Sequence, residues 1–363
     1  MIALAVVLNT LGKGAAGAEP AAQVSYVRGL VPPHGSHSSC IFTPDGDRLL
    51  ASGTRLRYFQ AHPPYALLQE HSVSRHAECY SRDRRNLYAL GTDALLVKNV
   101  TDFSTAATLP YIQANGDKLP SGNVVASADG KKLALANSRK VVVVNASTFK
   151  PLSTYTLDVL ATRSAFLAFV DDDKKLIGVW TKEDDYYVVA ARLIDTEAGT
   201  AEKFPYAKET LYIGSGFGAE SPDQSTLIVD ERTKNDELEA IDVRTLKPKW
   251  RVEMPVRGRH YAYSPDGRWI LVNGHPQFTS EADAKQYEAC AFRIYDSANG
   301  KLAWSMPVDT PGLIPPHPMR TFAFSPDGKI LATCSYYNGD PKAPIVLWDW
   351  AKIEAELLAK LEP

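Results

Sequence analysis

The chain has 363 residues, with 40 Lys or Arg against 42 Asp or Glu and a formal net charge of −2 at neutral pH. That balance excludes a general polyanion-binding role, which needs a strong basic excess or a basic stripe. Hydrophobic residues make up 45% of the chain, ample for a packed core, and the apolar run at the N-terminus is far too short to span a bilayer.

In chain order, Met1-Ile2-Ala3-Leu4-Ala5-Val6-Val7-Leu8 is an apolar run, followed by Ala16-Gly17-Ala18 before Glu19. This reads as a secretory signal (residues 1–18) cut after Ala18, although no Lys or Arg precedes the run. A periplasmic or secreted chain is expected, with a cytoplasmic one as the alternative. Val24 to Leu30 reads as a strand. Versions of one hairpin then start at Thr43, Ser81, Ser127, Val170, Ser221, Ser264 and Ser325. The clearest is Thr321-Phe322-Ala323-Phe324, the turn Ser325-Pro326-Asp327-Gly328, then Ile330-Leu331-Ala332-Thr333. Pro presets φ at the first corner, Asp bonds its own backbone, and Gly accepts a positive φ. Ser81-Arg82-Asp83-Arg84 and Val170-Asp171-Asp172-Asp173 take their meaning from their place in the series.

A third β-rich run follows each hairpin and ends in a polar residue: Gln60, Asn99, Asn145, Asp195, Asp242, Asp296 or Asp349. A fourth extended run comes next, as in Leu302-Ala303-Trp304. Four strands per repeat at this period predict an all-β, seven-bladed β-propeller of four-stranded antiparallel blades over residues 19–350. The N-terminal strand is expected to close the last blade as its outer strand. The tail, residues 351–363, has apolar side chains at 353, 357, 358 and 361, which is helical spacing and predicts packing on the edge of the ring.

The Ser-Pro-Asp-Gly hairpins and the terminal Trp348-Asp349 resemble the WD-repeat β-propellers and their looser bacterial relatives, over roughly residues 24 to 350. Several repeats lack the Trp-Asp pair. The resemblance implies a non-catalytic platform for a protein or peptide partner.

Antiparallel blades send the first and third connections of each blade to one face and the others to the opposite face. The second set is the long one in blades four to seven: residues 182–187, 274–288, 309–318 and 336–341. Long connections on one face are where binding residues are carried. Trp180, Tyr186, Tyr187, Tyr336 and Tyr337 fit a contact surface there, and Trp180 fits packing between blades better. The starts of the innermost strands bring Arg75 and His76, Arg163, Arg259 and His260, and His317 and Arg320 to the channel mouth on that face. This cationic cluster suits an anion or carboxylate, which Arg forks pair bidentately. The alternative is that each Arg pairs with a loop carboxylate.

The histidines form no metal signature, Asp171 to Asp173 read as a solvated turn, and Gly214-Ser215-Gly216-Phe217-Gly218 lacks the Lys-Ser/Thr of a phosphate loop. No cofactor and no metal are expected. Cys40, Cys79, Cys290 and Cys334 read as four buried thiols in preference to two disulfides. Asn99 and Asn145 match a glycosylation pattern but read as turn residues replacing Asp. The leading reading is a monomeric interaction platform that binds neither nucleic acid nor membrane. The alternatives are an exported lactonase- or dehydrogenase-like enzyme, with His76 or His260 as acid or base, and a small-anion-binding protein.

Overall fold

The computed structural model describes the chain from Val27 to Lys360, apart from 32–36, 73–76, 112–118, 183–187, 206–217, 233–235, 255–257, 275–291, 306–318, 336–344 and the single positions 54, 82, 84, 92, 121, 160 and 162. The strands form seven sheets of four antiparallel strands each. Blades one to six follow one another in sequence, with first strands His37–Phe42, Ala77–Tyr80, Asn123–Ala126, Arg163–Val170, Gly218–Glu220 and Gly258–Tyr263. Blade seven takes Met319–Phe324, Ile330–Ser335 and Ile345–Asp349 from the C-terminal part. Its outer strand is Val27–Val31, with Leu30 opposite Val346 and Val31 opposite Ile345. The expected closing strand is therefore present, and it runs to Val31, one residue past the expected end. First strands of adjacent blades pack on one another in five places (blades seven and one, two and three, three and four, five and six, six and seven) and so stand innermost.

The second and third strands of a blade are buried on both faces. Leu133 to Ala136 and Val141 to Val144 are all buried, which gives the continuous apolar runs of doubly covered strands. Because successive side chains point to opposite faces, Leu133 and Leu135 pack towards blade two while Ala134 and Ala136 pack towards blade four. The core is thus divided into layers between blades. One layer joins the ends of the chain: Phe42, Leu49 and Phe59 of blade one against Ala332, Ile345 and Leu347 of blade seven. Cys40 and Cys334 are buried thiols that meet in that layer, and Cys79 is a half-buried thiol. Cys290 lies outside the described residues. Trp180 is fully buried and its indole N–H donates to the Asn137 carbonyl at 2.8 Å, so it joins blades three and four and is no contact surface.

The tail forms a helix, Trp350–Ala359, begun by the Asp349 carboxylate accepting the Lys352 N–H. It takes the place where other blades turn into their fourth strand. Trp350, Ile353 and Leu357 are buried on the layer between blades six and seven, and Trp350 meets the edge of Phe324 at 5.0 Å. Asn99 and Asn145 do act as turn residues: their Oδ1 atoms accept the Thr101 and Ser147 N–H groups, as Asp195 and Asp242 do in other blades.

Six of the seven hairpin turns share one design. The Ser or Thr hydroxyl donates to the Asp two residues on, at 2.6 Å in Ser325–Asp327 and Ser81–Asp83, and accepts the N–H of the residue five positions on. The hydroxyl donor holds the Asp327 and Asp83 carboxyls below their ordinary range. The proline of one turn also touches the glycine of the next: a Cβ on Gly46 would lie 3.5 Å from Pro326, and one on Gly267 would lie 3.4 Å from Pro222.

The turn of blade four departs from the expected solvated run. Asp171, Asp172 and Asp173 all have positive φ, at 54°, 55° and 61°. Asp173 is buried, and its carboxylate accepts the Ala128 and Asp129 N–H groups of blade three at 2.8 Å each. Gln224 of blade five donates to it at 2.7 Å. Asp171 and Asp172 pair with Arg244 of blade five. Tertiary bonds to both neighbouring blades hold an unusual backbone in place.

Candidate functional site in the central channel

The innermost strands leave an axial channel. At the end carrying the hairpin turns it opens into a cavity of about 530 Å³. Its wall is largely apolar and aromatic: Phe169 of blade four, Tyr261 and Tyr263 of blade six, Phe322 and Phe324 of blade seven. The one carboxylate in the wall is Glu220, the last residue of the first strand of blade five. Its side chain is open to the lumen yet surrounded by protein, and that confinement pushes its pKa up. Loss of water disfavours the charged form of a carboxyl. The Tyr263 hydroxyl is buried without a hydrogen-bond partner, and burial, with the Asp223 and Glu220 charges adding to it, raises its pKa far above that of a free phenol.

The residues expected at the opposite, long-connection end are only partly described. Arg163 begins the first strand of blade four, Arg259 and His260 lie near the start of that of blade six, and Arg320 near the start of that of blade seven. His260 is half-buried and stands opposite the buried Asn273. Arg75, His76, His317, Tyr336 and Tyr337 lie outside the described residues. None of the expected site residues lines the turn-side cavity.

The connections themselves are strongly sided. Those leading from first to second and from third to fourth strands are four to six residues long throughout. On the other face, connections span 111–122, 204–217, 275–292, 306–318 and 336–344. The first two of these were not among the long connections that the sequence analysis named.

No protein-family profile and no curated protein matches the chain. Solved structures do share its fold. A chain of Kuenenia stuttgartiensis hydrazine synthase is 15% identical with a TM-score of 0.57, covering 89% of this chain and 98% of that one. A chain in a crystal structure of the mitotic checkpoint complex is 12% identical with a TM-score of 0.61, covering 94% and 97%. At these identities the likeness establishes the propeller architecture alone.

Proposed function

We propose that this propeller is a non-catalytic interaction platform that holds a protein or peptide partner against its long-connection face. The sidedness of the ring carries the reading. One face carries only short interlocking turns and the Trp350–Ala359 helix, while the other bears every connection longer than six residues. A rigid ring presenting long loops is how a scaffold offers a recognition surface. The likeness to a chain of the mitotic checkpoint complex is compatible with an assembly role.

The test replaces 275–291 and 336–344 by short Gly-Ser connections in the full chain. A partner captured by the unaltered protein from its own cell extract is purified and its affinity measured for both proteins. Loss of binding with unchanged thermal stability is expected. Equal affinity of the exchanged protein overturns the reading.

A second reading, a small-anion site at the mouth on that face, is favoured by Arg163, Arg259 and Arg320, which begin or nearly begin three of the innermost strands. Thermal stabilisation by small anions, lost when these three and Arg75 become Ala, would select it.

A further inference from the structure

The residue just before each turn occupies one structural position in all seven blades: Phe42, Tyr80, Ala126, Phe169, Glu220, Tyr263 and Phe324. Five are aromatic. Where a ring stands at this position it packs on the preceding blade, as Phe42 does on blade seven and Phe324 on blade six. Blade three has the small Ala126 there, and blade five breaks the pattern further by placing a carboxylate where five blades place a ring. Among the described residues that line the cavity with Glu220 there is no Lys, Arg or His, and its carboxylate is held only by its own backbone N–H. A carboxylate confined among apolar side chains is costly unless it is paired.

The surroundings define what would pair with it. Tyr261, Tyr263 and Phe322, each half-buried, border the same space beside the more deeply buried Phe169 and Phe324, and an aromatic ring can take a cation on its face. The volume of about 530 Å³ is that of a small-molecule site. The other titratable groups facing the space reinforce this choice or are neutral. Asp223 adds negative charge beyond Tyr263, and the Cys40 thiol, pushed up by its neighbour Cys334 and by burial, stays uncharged. We propose that the turn-side end of the channel binds a small organic monocation, an ammonium or guanidinium carried on an apolar body, with Glu220 as its counter-charge. The site lies at the other end of the ring from the partner-binding face and stands independently of that reading.

The experiment compares three probes of similar shape against the full chain by isothermal titration near neutral pH: 2-phenylethylamine, neutral 2-phenylethanol and anionic 3-phenylpropionate. The amine is expected to bind at least about tenfold more tightly than the other two, and Glu220→Gln is expected to remove that preference. The amine's affinity should fall as acid protonates Glu220. A measurement that needs no variant is the carboxyl pKa of Glu220 by carbon-13 NMR, which must drop when the wild-type protein is saturated with amine. Equal binding of amine and alcohol, undiminished amine binding by Glu220→Gln, an unmoved Glu220 pKa, or no binding of any probe up to about 10 mM overturns the proposal.

Discussion

The Ala128 N–H donates to the Asp173 carboxylate at 2.8 Å, and both residues stand where the repeat calls for something else. Ala128 occupies the proline position of its turn and Asp173 the glycine position of the next. Elsewhere in the ring those positions meet as a proline touching a glycine. Here proline would have no N–H to give and glycine no carboxylate to receive it. The exchange continues one blade on, where Gln224 replaces glycine with φ +57° and its side chain bonds Asp173 from the other side. Three irregular turns therefore compensate one another.

Each residue of this exchange should be poorly replaceable alone. Ala128→Pro removes a donor from a buried carboxylate, and Asp173→Gly strips the acceptor from two backbone N–H groups. Each should cost about 1–3 kcal/mol. The double variant restores the ordinary proline–glycine contact and should be more stable than the sum of the two, with a coupling of about 0.5–3 kcal/mol. Urea unfolding of the four proteins measures it, and simple additivity would mean that the two positions act separately.

Gly178 and Trp180 make a second pair of mutually dependent residues. The indole of Trp180 folds back over its own strand, and a Cβ at Gly178 would run into the ring. Gly178→Ala must push the fully buried Trp180 away from blade three, where its N–H bonds Asn137. Overpacking of this kind should cost about 1–3 kcal/mol. Thermal melts read the loss, and Gly178→Ala in a Trp180→Phe background should cost less, since the smaller ring leaves room.

Most of the ring was legible because its signals are local. Pro, Asp and Gly each dictate a corner of the hairpin, so Ser325 to Gly328 declares its geometry within four residues. The doubly buried Val141 to Val144 shows as an unbroken apolar run. The closing strand and the final helix follow from strand count and from the spacing of Ile353 and Leu357. What stayed hidden depends on residues far apart in sequence. Asp173 looks like any turn aspartate until its partners 45 and 51 residues away are in place. Glu220 stands out only when the seven repeats are aligned on the residue before the turn and that position is known to border the channel. The sequence reading sought chemistry at the opposite mouth, drawn by arginines that advertise their charge, whereas one carboxylate among 42 acidic residues does not.

Ring closure makes a third prediction. Val27–Val31 is what covers Ile345–Asp349 on its outer side. Deleting residues 27–31 would leave that strand as an open edge, whose unpaired N–H and C=O groups template association with other chains. The truncated protein should elute as oligomers or aggregate under conditions where the full chain does not, as light scattering after size exclusion would show. A truncated chain that remains monodisperse and equally stable would mean that the inter-blade layer between blades one and seven closes the ring without the strand.

Glu220 makes the stability of the protein depend on pH in a stated direction. Confinement raises its folded pKa above the unfolded value, so the folded protein holds the proton more tightly than the unfolded chain. The contribution to stability is fully present below the unfolded pKa and is lost as pH rises through the folded one. Gln at this position stays neutral throughout. The Glu220→Gln protein should therefore melt close to wild type at about pH 4 and gain on it as pH rises to neutrality. Melts at fixed ionic strength across that window measure the difference. A constant difference would show a carboxylate as well solvated as one on the surface, and would remove the energetic reason for a cation in the channel.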